Sequence, residues 1–298
     1  MLQQFKNFRV KRAGTAASDR IHVAYYDKIT NSIHYSNTVE NYSMDATTEF
    51  SWVNIDGGTD SDDSGTYSDG SSVSLTAARF TGTTRCTGTG DSVALALTST
   101  KYPVIVYYDA SNGVLKLARA SATNPKGNVS KWTVQDVLGT SDPNYGTQVS
   151  YISAEIDSSG YLHIAFQNMK NQLVYIKSTN APTNGTTAYT FGTSQTIDDS
   201  GTYIDLALNG TTPYISYLGR INSYDGMKIA YYDSSLDFNN DGTAEGGWET
   251  MTAPLNQKVT NVRSCIETQA KAADNNTYAA AIGFYPGADY RAAFFVGN

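Results

Sequence analysis

Short apolar and aromatic runs, broken every few residues by Gly, Asn, Asp, Ser or Thr, make up nearly the whole chain. One run recurs five times with variations: "IHVAYYD" ending at Asp27, "PVIVYYD" at Asp109, "LHIAFQN" at Asn168, "PYISYLG" at Gly219 and "AAAIGFYP" at Pro286. Each is rich in residues that favour strands, and each is followed within a short turn by a second aromatic run, as in "SIHYS", "VLKLARAS", "LVYIKS", "MKIAYYDSS" and "YRAAFFV". A repeated supersecondary unit of this kind predicts a modular all-β array. No apolar stripe at helical spacing persists for three turns, so almost no helix is expected.

The third copy shows the unit with least interruption. From Tyr151, "YISAEID" reads as a strand, "SSG" as a tight turn, "YLHIAFQ" as a second strand, "NMKNQ" as a polar turn, "LVYIKS" as a third strand and "YTFGTSQTID" as a fourth. Turn residues at such intervals between β-branched and aromatic runs are hairpin signals. The fourth strand carries its own marker, because Trp52, Trp132 and Trp248 fall at the same place in their units and Tyr189 and Phe191 stand there in the third.

An isolated four-stranded meander leaves two apolar faces uncovered, whereas meanders packed face to face around an axis hide each other. The expected fold is therefore an all-β, five-bladed β-propeller of four-stranded antiparallel blades, with blades at 5–56, 91–138, 150–198, 203–254 and 264–298 and an insertion at 57–90. The last unit stops after three strands at Asn298, so the final blade is three-stranded or takes a strand from outside this sequence. Closure of the ring needs every unit, which makes residues 1–298 one domain.

Composition narrows the partners. Charged residues are 16%, Gly numbers 25, Tyr 22, and the net charge is −7, which argues against a phosphate-backbone partner. No apolar run reaches the length of a membrane span. The start, "MLQQFKNFRVKRAG", has basic residues without the apolar stretch of a signal peptide, yet richness in Ser, Thr, Asn, Gly and Tyr suits a secreted or cell-surface protein. Sequons at Asn41, Asn128, Asn184, Asn209 and Asn275 are what chance provides in so Asn- and Thr-rich a chain.

Cys86 precedes the innermost strand of the second unit and Cys265 opens that of the fifth, which puts both near one rim of the central channel. A disulfide between them, or two unrelated thiols, are both compatible with that placement; a bridge would mark an oxidising compartment.

Metal chemistry is suggested by "DFNNDGTAEGGWE". Asp237, Asn239 and Asp241 occupy positions 1, 3 and 5 of a calcium loop, with Thr243 and Glu245 at 7 and 9 and Gly242 at the sharp turn. Trp248 stands where a bidentate Glu closes the EF-hand, so a structural Ca2+ in a short hairpin loop is the expectation, against a solvated hairpin tip. The segment "DDSGTY" occurs at 62–67 and again at 198–203, both times between an outer strand and the next inner one, which favours a structural turn. It is only superficially like the Asp-box of sialidases.

Hydrolysis needs two carboxyl groups facing a substrate. Asp91, Glu155, Asp157, Asp205 and Glu267 are scattered over different units and form no recognisable pair, and His22 and His163 share one repeat position, which marks a framework role.

The blade phrase and its Trp resemble the repeats of bacterial extracellular β-propellers, related in architecture to sialidase-like and lectin propellers, over essentially Phe5 to Val296. That resemblance implies a surface-exposed module binding glycan or protein, often within a larger assembly. A non-catalytic binding or adhesion module is the first reading, with Tyr67, Arg85, Tyr145, Tyr203, Arg220, Tyr224 and Arg263 as its binding residues, since aromatic rings suit sugar faces and protein hot spots alike. A glycoside hydrolase or lyase at the channel mouth and a structural subunit of a surface filament are the alternatives.

Overall fold

The computed structural model describes residues 5–13, 20–27, 32–38, 53–57, 93–109, 112–125, 128–139, 141–145, 148–222, 224–237, 240–252, 264–270, 277–284 and 290–297. They form five antiparallel sheets, each a meander in chain order. The first holds β1 (Phe5–Ala13), β2 (Arg20–Asp27), β3 (Ser32–Asn37) and β4 (Val53–Gly57); the second holds β5 (Val93–Leu97), β6 (Pro103–Asp109), β7 (Val114–Ala120) and β8 (Trp132–Leu138). The third consists of β9 (Val149–Ile156), β10 (Leu162–Asn168), β11 (Leu173–Lys177) and β12 (Gln195–Asp198). The fourth consists of β13 (Thr202–Asn209), β14 (Thr212–Ile221), β15 (Tyr224–Asp233) and β16 (Gly247–Thr252), and the fifth of β17 (Ser264–Ala270), β18 (Thr277–Phe284) and β19 (Tyr290–Gly297). Helix among the described residues is one 3-10 turn, Val129–Lys131.

The recurrent phrase is the second strand of its sheet, and its last residue closes the hairpin to the third. Asp109 accepts from the Asn112 N–H at 3.2 Å and Asn112 Nδ2 at 2.7 Å; Asn168 accepts from the N–H groups of Lys170 and Gln172 at 2.9 and 3.0 Å. A short polar side chain that bonds its own turn is why Asp or Asn ends the run. In the fourth sheet Gly219 takes this place and the hairpin runs on to Ile221 and Tyr224. A Cβ at Gly219 would lie 2.7 Å from Tyr217 Cε2, so the glycine leaves room for that ring.

Strands buried on both faces read as unbroken apolar runs, and every residue of β6 is buried. Alternation sends Ile105 and Tyr107 toward the first sheet, in a core with Ala24, Tyr26, Ile33, Tyr35, Ile55 and Trp132. It sends Val104, Val106 and Tyr108 toward the third, among Ile152, Leu162, Ile164, Phe166 and Tyr145. The other face of the third sheet joins the fourth through Leu173, Tyr175, Leu206, Ile215 and Tyr217. Each such side chain contributes about 1.5–3 kcal/mol by leaving water.

First strands are neighbours in chain order: β1 packs on β5, β5 on β9, β9 on β13 and β13 on β17. Lys11 of β1 also ion-pairs with Glu155 of β9, two sheets away. The innermost strands thus converge on one axis with the sheets radiating from it. The third sheet departs from the sequence expectation at its outer edge, where the fourth strand is only Gln195–Asp198 with a single bridge between Ser178 and Phe191. Asn180 and Gly185 lie in the connection between β11 and β12, ahead of that missing half.

Candidate functional site

Between the third and fourth sheets lies a cleft of about 470 Å³. Tyr175 and Lys177 of β11 and Thr193 and Gln195 at β12 form one side; Thr212 of β14 with Tyr232 and Ser234 at the end of β15 form the other. Trp248 of β16 braces the aromatic wall, its ring edge-on to Tyr175 at 4.7 Å and to Tyr232 at 5.8 Å between centroids. Its Nε1 donates to Gln195 Oε1 at 3.1 Å. The result is a recess with aromatic faces and a rim of hydroxyl, amide and ammonium groups.

A buried relay underlies that wall. Asp157 accepts from the N–H groups of Ser159 and Tyr161, each at 2.9 Å, and meets Lys177 Nζ at 3.3 Å. It also lies 3.0 Å from His163 Nε2, while the Tyr175 hydroxyl lies 2.7 Å from His163 Nδ1. Burial opposes ionisation of Asp157, yet hydrogen bonds from His163 and the Tyr161 N–H outweigh it and hold the carboxyl below its usual pKa. Burial holds His163 below its usual value despite Asp157; with a neutral ring, a proton on Nε2 serves the acceptor-only Asp157 carboxylate and leaves Nδ1 to accept from the Tyr175 hydroxyl. In the first sheet His22 and Tyr35 repeat this contact at 2.5 Å, and Trp132 of the second sheet sits edge-on to Tyr35 at 4.8 Å, as Trp248 does to Tyr175. His22 is lowered to about 4 by burial and by Arg20.

Of the nominated binding residues, Tyr203, Arg220 and Tyr224 stand at one end of the fourth sheet, where Thr202 pairs with Leu218 and Ile221 with Tyr224. Tyr145 is fully buried against Phe166 in the core between the second and third sheets, so it presents no binding surface. Tyr203 packs on Tyr151 at 4.9 Å; both have left-handed backbones, φ 51° and 52°, at bulges in β13 and β9. Arg220 is exposed near the end of β14 with its N–H on Ser200 Oγ at 2.6 Å, and Tyr224 opens β15 opposite Ile221. Tyr67, Arg85 and Arg263 lie outside the described residues, as do Cys86 and Asn239; Cys265 is on β17 opposite Ile282.

At the tip of the β15–β16 hairpin, one carboxylate oxygen each from Asp237, Asp241 and Glu245 lie within 4.8 Å of one another. Asp237 also accepts from the Gly242 N–H at 2.9 Å, and Asp241 from the Thr243 N–H at 2.8 Å. Oxygens bound to one Ca2+ at 2.3–2.6 Å can stand up to about 5 Å apart, so this spacing fits that ion. Thr243 is exposed beside them.

The nominated carboxylates of the third and fourth sheets are committed elsewhere: Glu155 to Lys11, Asp157 to His163 and Lys177, and Asp205 to the Ser153 hydroxyl at 3.2 Å. Asp91 lies outside the described residues, and Glu267 is on β17. The second "DDSGTY" is a turn, as expected: Asp198 accepts from the Tyr217 hydroxyl at 2.6 Å and from Lys228, and the Gly201 N–H donates to Asn171 O at 2.8 Å.

Lys177, Gln195 and Tyr232 were not singled out from sequence. A register signal does exist, since Gln135 and Gln195 occupy matching places opposite Leu117 and Tyr175. Both grip the aromatic of the next sheet, Tyr189 or Trp248.

No helix among the described residues is long and apolar enough to cross a membrane. No protein-family model matches the sequence, and no curated protein matches it. Solved structures do match in shape. An arginine-substituted variant of AofleA from Arthrobotrys oligospora aligns over 97% of this chain and 69% of its own, with TM-score 0.54 and 10% identity. The fucose-specific lectin from Aleuria aurantia aligns over 98% and 76%, with TM-score 0.52 and 10% identity. Another structure of the Aleuria lectin, described as a six-bladed β-propeller, aligns at TM-score 0.47 with 11% identity over 99% and 78%. What this chain shares with such proteins is the fold, an all-β propeller of antiparallel sheets.

Proposed function

We propose that this protein is a carbohydrate-binding module and that a sugar occupies the cleft between the third and fourth sheets. The observation that carries the reading is the combination, in one recess, of the Tyr232 ring, over a floor of buried Tyr175, with Lys177, Gln195, Thr193, Thr212 and Ser234. Rings offer a flat apolar face to sugar C–H groups, while amides and hydroxyls pair with sugar hydroxyls and fix orientation. The fold shared with a fucose-specific lectin supports the same reading. The five sheets are the blades of a five-bladed ring in which the fifth closes against the first. Ca2+ held by Asp237, Asp241 and Glu245, with Asn239 and the Thr243 carbonyl, braces the loop between Tyr232 and Trp248. The protein works outside the cell or on its surface.

Calorimetric titration with a panel of neutral monosaccharides, fucose included, and a glycan array test the reading. Saturable binding weakened at least tenfold by Tyr232→Ala or Gln195→Ala is expected. Silence across the panel, or binding indifferent to both substitutions, overturns it.

A further inference from the structure

Arg119 on β7 is buried to 4% exposure, and no carboxylate meets it among the described residues. Its register explains how this arises. Arg119 pairs with Val104 as Lys177 pairs with His163, so the two cations hold the same place in successive sheets. The preceding turns also match: Thr98 N donates to Tyr102 O and Tyr102 N to Thr98 Oγ1, as Asp157 N donates to Tyr161 O and Tyr161 N to Asp157 Oδ1. The third sheet therefore supplies its cation with a carboxylate from that turn, and the second has a threonine hydroxyl there.

The guanidinium is only partly satisfied. Nη2 donates to Thr186 O at 2.6 Å, but Nε and Nη1 have no partner among the described residues. Neither has the hydroxyl of Tyr189, which is 4% exposed and is the ring the third sheet lays here, its backbone held by Gln135 at 2.8 and 3.0 Å. The two groups feel each other: burial pushes Tyr189 up to about 12 while Arg119 pulls it down. A buried charge with unmet donors is costly. A water accepts two hydrogen bonds but brings two protons that need acceptors of their own, whereas an anion only accepts.

We propose that a small anion of halide size sits between the second and third sheets, accepting from one unpaired N–H edge of the Arg119 guanidinium and from the Tyr189 hydroxyl, in the role Asp157 plays one sheet on. The site is closed to a group carried on a polymer. The segment Asn184–Thr187 straps over it so closely that a Cβ on Gly185 would lie 2.2 Å from Ser121 Cα and 2.3 Å from the Ala120 carbonyl oxygen. A free ion is the occupant.

The test uses the full chain at constant ionic strength, with chloride or bromide exchanged against bulky gluconate. A ligand bound only by the folded state raises Tm with its concentration. The wild type is expected to gain Tm with halide, Arg119→Met to lose that response, and Tyr189→Phe to need several-fold more halide for the same gain. Crystals grown in bromide should show an anomalous peak between Arg119 and Tyr189. Equal halide responses in the wild type and Arg119→Met, or water density without an anomalous peak at that place, overturn the proposal. If Arg119→Met fails to fold, Tyr189→Phe and the bromide peak decide it: an unshifted halide response in Tyr189→Phe counts against the anion.

Discussion

Asp157 and Lys177 lie 3.3 Å apart in the third sheet, and the same carboxylate takes the proton of buried His163 at 3.0 Å and two backbone N–H groups. Asp157→Ala strands the His163 donor where water does not reach and removes the partner of Lys177. It should destabilise the protein by about 3 kcal/mol, more than twice the effect of Asp157→Asn, which keeps an acceptor oxygen. Midpoints of denaturant unfolding at unchanged slope measure both.

The buried histidines set how stability depends on acidity. His22 is lowered to about 4 when folded, so between roughly pH 6.5 and 4 the unfolded chain binds a proton that the folded chain refuses. Its contribution is complete above about 6.5 and is lost as pH falls to 4, on the order of 3 kcal/mol in all. His163, lowered by the same burial, adds in the same direction. Urea unfolding across this range should show the slope in the wild type and a shallower one in His22→Gln.

Trp248 ties the two walls of the cleft together, its ring against Tyr232 of its own sheet and Tyr175 of the third, and its Nε1 on Gln195. Because its ring is only partly buried, Trp248→Ala should cost about 2–3 kcal/mol, below the full core value, and Gln195→Ala about 1 kcal/mol. Their double mutant should cost less than the sum, since they share a bond. Chemical denaturation of the four proteins reads the coupling.

With Ca2+ in the loop of Asp237, Asp241 and Glu245, thermal unfolding should shift upward on titrating the ion and fall back with a chelator. Asp241→Asn should lose most of that shift. A flat response in the wild type counts against the ion.

Gly185 differs from most of the described glycines because backbone, not a movable side chain, occupies the space of its missing Cβ. Gly185→Ala should lift the strap from β7 and cost about 1–3 kcal/mol, as overpacking does. It should also expose Arg119 and Tyr189 to hydrogen exchange in neighbouring amides.

The elements themselves were legible from the residues. Runs such as "PVIVYYD" and "LHIAFQN" announce buried strands, and Asp109 and Asn168 announce the turns that follow, because strand preference and Asx turns are local properties of adjacent residues. The repeat of His22 and His163 likewise foretold a framework role, which their bonds to Tyr35 and Tyr175 realise.

Which aromatics are available and which cations are balanced depends on the neighbouring sheet. Tyr145 and Tyr232 look alike in a string of letters, yet one is sealed against Phe166 and the other lines a cleft, since the packing of one sheet on the next decides exposure. Lys177 and Arg119 share a register position, but a turn twenty residues earlier offers aspartate to one and threonine to the other, and only the fold brings each turn to its cation. Strand, turn and repeat are short-range and were written in the sequence; cleft, relay and unbalanced charge arise where distant strands meet, and the tertiary structure alone decided them.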